Sequence, residues 1–207
     1  RKEYVQRVGN TDSIFTNPNP RVQKFTGYRQ QNFISKIRYK PAENWDLEYG
    51  FHYSTTSTIP RYDRLIEYTG NSLRFARWDY GPQHWTMQHV QVQHKRTKGW
   101  YDQARLTAAL QQYEESRIDR RRNNNNERTQ TENVVATSFN LDLQKQINSK
   151  QELYYGAEFV YNKVGSVGSN KHIGNGTVTP VASRYPDGAS WNSLAAYISY
   201  KNNLKEK

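Results

Sequence analysis

Between Thr131 and Val164 the apolar and aromatic residues fall on alternate positions. On the first arm they are Val135, Phe139, Leu141 and Leu143, with Thr137 in phase; on the second they are Leu153, Tyr155, Ala157, Phe159 and Tyr161. The intervening residues are Ala136, Ser138, Asn140, Asp142 and Gln144 on one arm, and Tyr154, Gly156, Glu158, Val160 and Asn162 on the other. Side chains of a strand alternate between faces, so the pattern predicts a long antiparallel hairpin turning at Asn148-Ser-Lys150, with one apolar and one mostly polar face. On a helix the same positions would scatter around the cylinder.

Two architectures share this pattern. In a soluble sandwich the apolar face is the core and the polar face meets water. In a membrane barrel the apolar face meets lipid and the polar face lines the lumen.

The period of two recurs along the chain. Gln31 to Lys40 carries Phe33, Ile37 and Tyr39 on one face, and Asp46 to Ser54 carries Leu47, Tyr49, Phe51 and Tyr53. Gln103 to Gln112 alternates Ala104, Leu106, Ala108 and Leu110 with polar residues, and Trp191 to Lys201 reads as a last strand. Residues 1 to 8 read as a short strand. In His84 to Lys95, Trp85 and Met87 are out of phase with Val90 and Val92, which predicts a bulge near Gln88.

The connections alternate between long (9–27, 55–83, 116–130, 165–190) and short (41–45, 96–99, 147–150, 202–203). An up-and-down meander gathers all the long ones at one rim, as transmembrane barrels do. Tyr39, Trp45, Trp100 and Tyr101 lie beside the short turns and fit an interfacial aromatic girdle. The expected fold is all-β, an antiparallel up-and-down meander of about eight strands. Residues 1–207 would form part of a larger transmembrane β-barrel, with Leu204-Lys-Glu-Lys207 beginning a further strand.

Composition favours the same side. Only 34% of residues are hydrophobic, yet there are 16 Tyr and 5 Trp, and mean hydropathy is −1.07. A filled globular core is hard to build from this inventory, while the aromatics argue against disorder. A barrel needs only alternate apolar residues across a band about 25 Å tall. No run of apolar residues is long enough for a transmembrane helix. The absence of cysteine excludes a disulfide scaffold, a thiolate metal site and a cysteine nucleophile. The net charge of +11 is dispersed, and its one dense run, Arg120 to Arg122, has no accompanying nucleic-acid motif, so no nucleic-acid partner is expected.

Several segments carry a resemblance. These are Ile59-Pro-Arg-Tyr-Asp-Arg-Leu65, Leu73-Arg-Phe-Ala-Arg-Trp-Asp-Tyr-Gly-Pro-Gln83, Tyr101-Asp-Gln-Ala-Arg-Leu-Thr107, Tyr113-Glu-Glu-Ser-Arg117 and Arg184-Tyr-Pro-Asp-Gly188. Together, over roughly Asn32 to Tyr200, they resemble the central barrel of TonB-dependent outer-membrane receptors, in particular the haem and haemoglobin branch. The resemblance implies a barrel of about 22 strands in the outer membrane of a Gram-negative bacterium, closed by a plug domain and energised through TonB. It implies a haem or haemoglobin-like ligand at the outer loops, carried as cargo rather than as a resident cofactor, and contact with lipopolysaccharide. The family's plug, TonB box and closing strand have no counterpart in these residues. Its paired Phe-Arg-Ala-Pro and Asn-Pro-Asn-Leu boxes are also absent, and Asn17-Pro-Asn-Pro20 matches the second only in part.

Haem iron is commonly held by His or Tyr, so the outer-loop histidines His84 and His172 are the candidate iron ligands; Tyr62 and Trp78 are candidates for stacking on a flat ligand, and Arg61, Arg64, Arg74, Arg77 and Arg120 to Arg122 for attracting haem propionates or lipopolysaccharide phosphates. The alternative for the arginines at 61, 64, 74, 77 and 120–122 is pairing within their loops, with Asp63, Glu67, Asp79 and Glu127. No metal-ligand spacing and no constellation of nucleophile, base and orienting group is present, so no catalytic or metal residues are expected and the chain reads as no enzyme. A function of another class stays open: a soluble β-rich carbohydrate-binding module using Trp78, Trp85 and Trp191 as stacking platforms.

Overall fold

A computed structural model of the chain describes residues 1–203; the expected strand start at Leu204 to Lys207 lies outside them. The strands in order are β1 (Glu3–Val8), β2 (Thr11–Thr16), β3 (Gln30–Ala42), β4 (Trp45–Thr56) and β5 (Ile59–Pro60). A single helical turn, α1 (Tyr62–Leu65), precedes β6 (Tyr68–Thr69), β7 (Ser72–Leu73) and β8 (Phe75–Lys95). The chain then runs through β9 (Gln103–Arg121), β10 (Asn126–Asn148), β11 (Gln151–His172), β12 (Val178–Val181) and β13 (Ala189–Asn202).

Seven long strands form one antiparallel meander in the order β3, β4, β8, β9, β10, β11, β13, with β5 extending the β4 side and β12 the β13 side to make nine. The all-β, up-and-down expectation is met, and the sheet is open at β3 and β13. Among the described residues no helix is long and apolar enough to cross a membrane.

Register turns the alternation into rows. Ile37, Tyr49, Val90, Ala108, Phe139, Phe159 and Leu194 are cross-strand neighbours from one edge to the other. The next row is Tyr39, Leu47, Val92, Leu106, Leu141, Ala157 and Ala196. Neither row contains a polar side chain other than the tyrosine hydroxyls. Trp45, His94, Ala104, Leu143, Tyr155 and Ile198 follow toward the short turns, and a mixed row with Phe51, Leu110 and Tyr161 lies on the other side. The four rows cover about 20 Å along the strands.

Among the described residues no second layer covers this belt: Phe139 is 46% and Leu194 79% exposed. On the opposite face the matching row is Arg38, Glu48, Gln91, Thr107, Asn140, Glu158 and Ala195. That face is knitted by polar pairs such as Asn140 Nδ2 donating to Glu158 Oε2 at 2.6 Å and Lys36 Nζ to Glu48 Oε1 at 3.4 Å.

At the short-turn rim the aromatics form a connected group on the belt's face. The Trp45 and His94 rings are 4.3 Å apart, Tyr101 OH lies 2.8 Å from His94 Nδ1, and Trp100 stands edge-on to Tyr101 at 4.8 Å. Arg96 stacks on Tyr101, its Cζ 3.8 Å from the ring centroid. Tyr155 OH donates to the Trp100 carbonyl at 2.5 Å.

The opposite rim differs from the sequence reading in three ways. First, β8, β9, β10 and β11 continue well past the belt, so the stretch read as a loop at 116–130 narrows to the turn 122–125, and 165–190 begins as strand. Their upper residues are polar because both faces there meet water or loops, and backbone pairing with cross-strand polar contacts such as Ser116–Thr131 and Asp119–Arg128 extends the ladder. Second, the short strand at residues 1–8 leaves the meander and pairs with β2, which lies inside the segment read as loop 9–27. Third, there is no bulge near Gln88: β4 and β8 are in continuous register from Trp45–His94 to Thr56–Gln83. Trp85 and Met87 are out of phase because they belong to the polar face, beside His52. The irregularity comes at Gly81-Pro82, where Gly81 has φ 78°, against β9.

Candidate functional site

The tightly packed part of the molecule is the long-connection rim. Leu65, Leu73 and Phe75 are buried there, with Asp12, Asn17, Asp79 and Arg120. Asp12 of the β1–β2 hairpin accepts from Arg120 Nη1 and Nη2 at 2.6 and 2.8 Å, and from the Asn123 amide at 2.8 Å. Arg7 Nη2 adds a bond to Asn125 Oδ1 at 3.1 Å, and Tyr68 OH donates to Glu3 Oε2 at 3.0 Å. Burial pushes the Asp12 carboxyl up, but the bonds from Arg120 and Asn123 and the charges of Arg120 and Arg7 outweigh it and hold the pKa below the ordinary carboxylate value. Asn17, in the Asn17-Pro-Asn-Pro20 segment, donates to the carbonyls of Arg1 and Val22 and accepts from the Asn19 amide. Its amide therefore serves the turn itself.

Beside this hairpin, residues 59–65 lie along β8. Ile59 and Pro60 pair with Tyr80 and Asp79, the Arg61 amide donates to the Trp78 carbonyl at 2.8 Å, and α1 closes with the Leu65 amide on the Arg61 carbonyl. This arrangement lays the Arg61 guanidinium over two rings, 4.9 Å from the Trp78 centroid and 5.0 Å from that of Tyr80. The rings meet edge to face at 5.1 Å. Arg61 also donates to Tyr80 OH at 2.7 Å and to Asp63, whose carboxyl it holds below its usual range. Arg64 approaches Trp78 from α1, and Arg117 of β9 lies 4.9 Å from the Tyr80 centroid. The result is an aromatic patch on the polar face crossed by three arginines, each also paired with a carboxylate, Arg61 with Asp63, Arg64 with Glu67 and Arg117 with Glu115, a surface chemically suited to stacking a flat ligand.

Of the candidate residues, Arg61, Arg64, Tyr62 and Trp78 are brought together here, Tyr62 through the same helical turn. His84 is on the belt's face, with Nδ1 2.8 Å from Thr55 Oγ1. His172 ends β11, three strands away, where Nδ1 accepts from the Asn175 amide at 3.3 Å. The alternative of pairing within loops describes the arginines well: Arg61 with Asp63, Arg64 and Arg74 with Glu67, Arg77 with Asp79 and Glu127. Sequence reasoning missed Tyr80 and Arg117; their signal was the resumed alternation of β8 and β9 above the belt.

No known protein family, no curated protein and no solved structure matches the chain.

A second polar-face group sits lower, on β4 and β8. The His89 imidazole lies flat over Gly50, with Nε2 3.4 Å from Glu48 Oε1 and its ring 5.8 Å from that of His52. Among the described residues no three His, Asp or Glu side chains are arranged to hold a metal ion. Trp78, Trp85 and Trp191 all belong to the polar face, but Trp85 is hydrogen-bonded to Gln111 and Trp191 stands on the edge strand, so the three do not make one platform.

Proposed function

We propose that the chain is a wall segment of a TonB-dependent outer-membrane receptor barrel that takes up haem or haem-protein iron. Two unbroken apolar rows, exposed across all seven strands and backed by a charged and amide-rich face, carry this reading. Water does not tolerate so wide an apolar surface on a monomer, whereas hydrocarbon requires it. The girdle of Trp45, Trp100, Tyr101 and Tyr155 fits the membrane–water interface at the short-turn rim. Strands rising past the belt would lift the long connections away from the bilayer toward an extracellular ligand. In this scheme the wall performs no chemistry. Arg61, Trp78, Tyr80 and Arg117 offer a stacking and ion-pairing surface for a propionate-bearing macrocycle near the outer mouth, before passage gated by the plug.

The test has two arms. The chain is refolded in plain buffer and in detergent micelles, and its association state is measured; a monomer in buffer with the Phe139 and Leu141 amides and side chains protected would overturn the membrane reading. The micelle-folded chain is then titrated with haem, following the absorption band. Arg61→Ala and Trp78→Ala are expected to weaken binding together, and binding unaffected by either change would remove haem as the ligand of this patch.

A further inference from the structure

Charge at the long-connection rim can be balanced group by group. Asp12 takes Arg120 and Arg7, and Asp63 takes Arg61. Glu67 is shared by Arg64 at 2.5 Å and Arg74 at 3.2 Å, Asp79 and Glu127 both take Arg77, and Asp119 takes Arg128. After every one of these carboxylates is assigned, Arg121 and Arg122 have no acidic partner among the described residues.

Both of these residues line one cleft of about 280 Å³, together with Thr69, Ser72, Leu73 and Arg74. Its walls are set by contacts independent of any ligand. The Arg122 amide donates to the Arg74 carbonyl at 3.0 Å, joining the end of β9 to the link between β7 and β8. Asp12 grips Arg120 and the Asn123 amide on either side of the two free arginines, and Asn123 takes the left-handed conformation, φ 61°, that lets the chain reverse there. Arg74 is held over the Phe75 ring at 4.9 Å. Three arginines thus line one cleft, only Arg74 among them paired, with a carboxylate it shares with Arg64, and Thr69 and Ser72 add two hydroxyls that can donate.

The geometry points to a phosphate-binding site in this cleft, formed by Arg74, Arg121 and Arg122 with Thr69 and Ser72. Like charges lining one cleft repel, and a doubly charged oxyanion accepting several N–H bonds converts that repulsion into binding. Guanidinium forks suit tetrahedral oxyanions, and the cleft has room for a phosphate group with part of the molecule bearing it. The phosphate belongs either to a soluble phosphorylated compound or to a lipid headgroup at the membrane surface. The site is independent of which ligand the barrel carries.

The 207-residue chain, folded in a phosphate-free amine-oxide detergent at low ionic strength, is titrated with inorganic phosphate by 31P NMR. It is titrated separately with micelles doped with phosphatidic acid. Arg121→Gln/Arg122→Gln is compared with Arg128→Gln, which removes a rim guanidinium outside the cleft. Binding is expected to fall about tenfold or more in the double variant, as loss of two charge-assisted contacts implies, and to change less than about twofold in Arg128→Gln. Saturation by free phosphate assigns a soluble source, and saturation only by doped micelles assigns a headgroup. No binding in either titration, or equal loss in Arg128→Gln, overturns the proposal.

Discussion

The ring of Tyr197 lies across Gly156 and carries its hydroxyl to Asp142. From β13 it passes over β11 to donate to Oδ1 on β10 at 2.8 Å. The reach depends on the missing side chain in between: a Cβ on Gly156 would stand 2.7 Å from Tyr197 Cε1 and 2.2 Å from the Leu141 carbonyl oxygen. The same device recurs where His89 covers Gly50, but there the three atoms nearest a Cβ all belong to the imidazole.

The two glycines should therefore answer differently to the same change. Gly156→Ala must displace backbone, and is expected to lower unfolding free energy in detergent by about 1–3 kcal/mol. In Gly50→Ala a rotation of His89 relieves the contact, so its cost should be the smaller. Urea unfolding of both variants checks the order; a Gly50→Ala loss equal to or above that of Gly156→Ala would count against the packing described.

Asp12 gives the rim a pH dependence. Its folded pKa is depressed, so the stabilisation is complete above the ordinary carboxylate value near pH 4 and is lost as pH falls through the lower folded value. The β1–β2 hairpin is expected to become susceptible to pepsin in that acid window. Asp12→Ala leaves Arg120 buried without its partner, a cost of about 3–5 kcal/mol for such pairs, and should expose residues 3–16 to thermolysin at neutral pH.

The apolar rows predict a contrast between adjacent residues. Leu141→Arg places a charge in the middle of the belt and is expected to cost about 2–4 kcal/mol in a bilayer. Asn140→Arg, pointing to the polar face beside Glu158, should cost far less. Folding yield into lipid vesicles measures both, and equal yields would contradict a lipid-facing belt.

The tryptophans report the same geometry by fluorescence. In single-tryptophan variants, Trp45 and Trp100 are expected to be quenched by lipids labelled near the headgroup. Trp78 and Trp85, on the polar face, should respond little.

How far the sequence could be read followed the belt. Where strands cross it, one face must be apolar, and the period of two in Phe139, Leu141, Ala157 and Phe159 shows the strands and their faces directly. Above it nothing selects apolar residues, so the upper halves of β9 and β10, from Ser116 to Gln130, look like loop although they are paired ladder. The phase break at Trp85 resembled a bulge because those rings serve the polar face, where aromatic and polar residues mix. The candidate site was legible in its local part, as Arg61 and Trp78 lie in one connected segment. The clamp between Asp12 and Arg120 was not: the residues are 108 positions apart, and no local pattern links them.

Seven strands, each reversed against the last, leave β3 and β13 running in the same sense. Two copies placed side by side in the same orientation would meet along parallel seams, so a duplicate could complete an antiparallel cylinder only when inverted, with β3 meeting β3 and β13 meeting β13. A closed wall that keeps alternating direction all the way round needs an odd number of additional strands between those two margins.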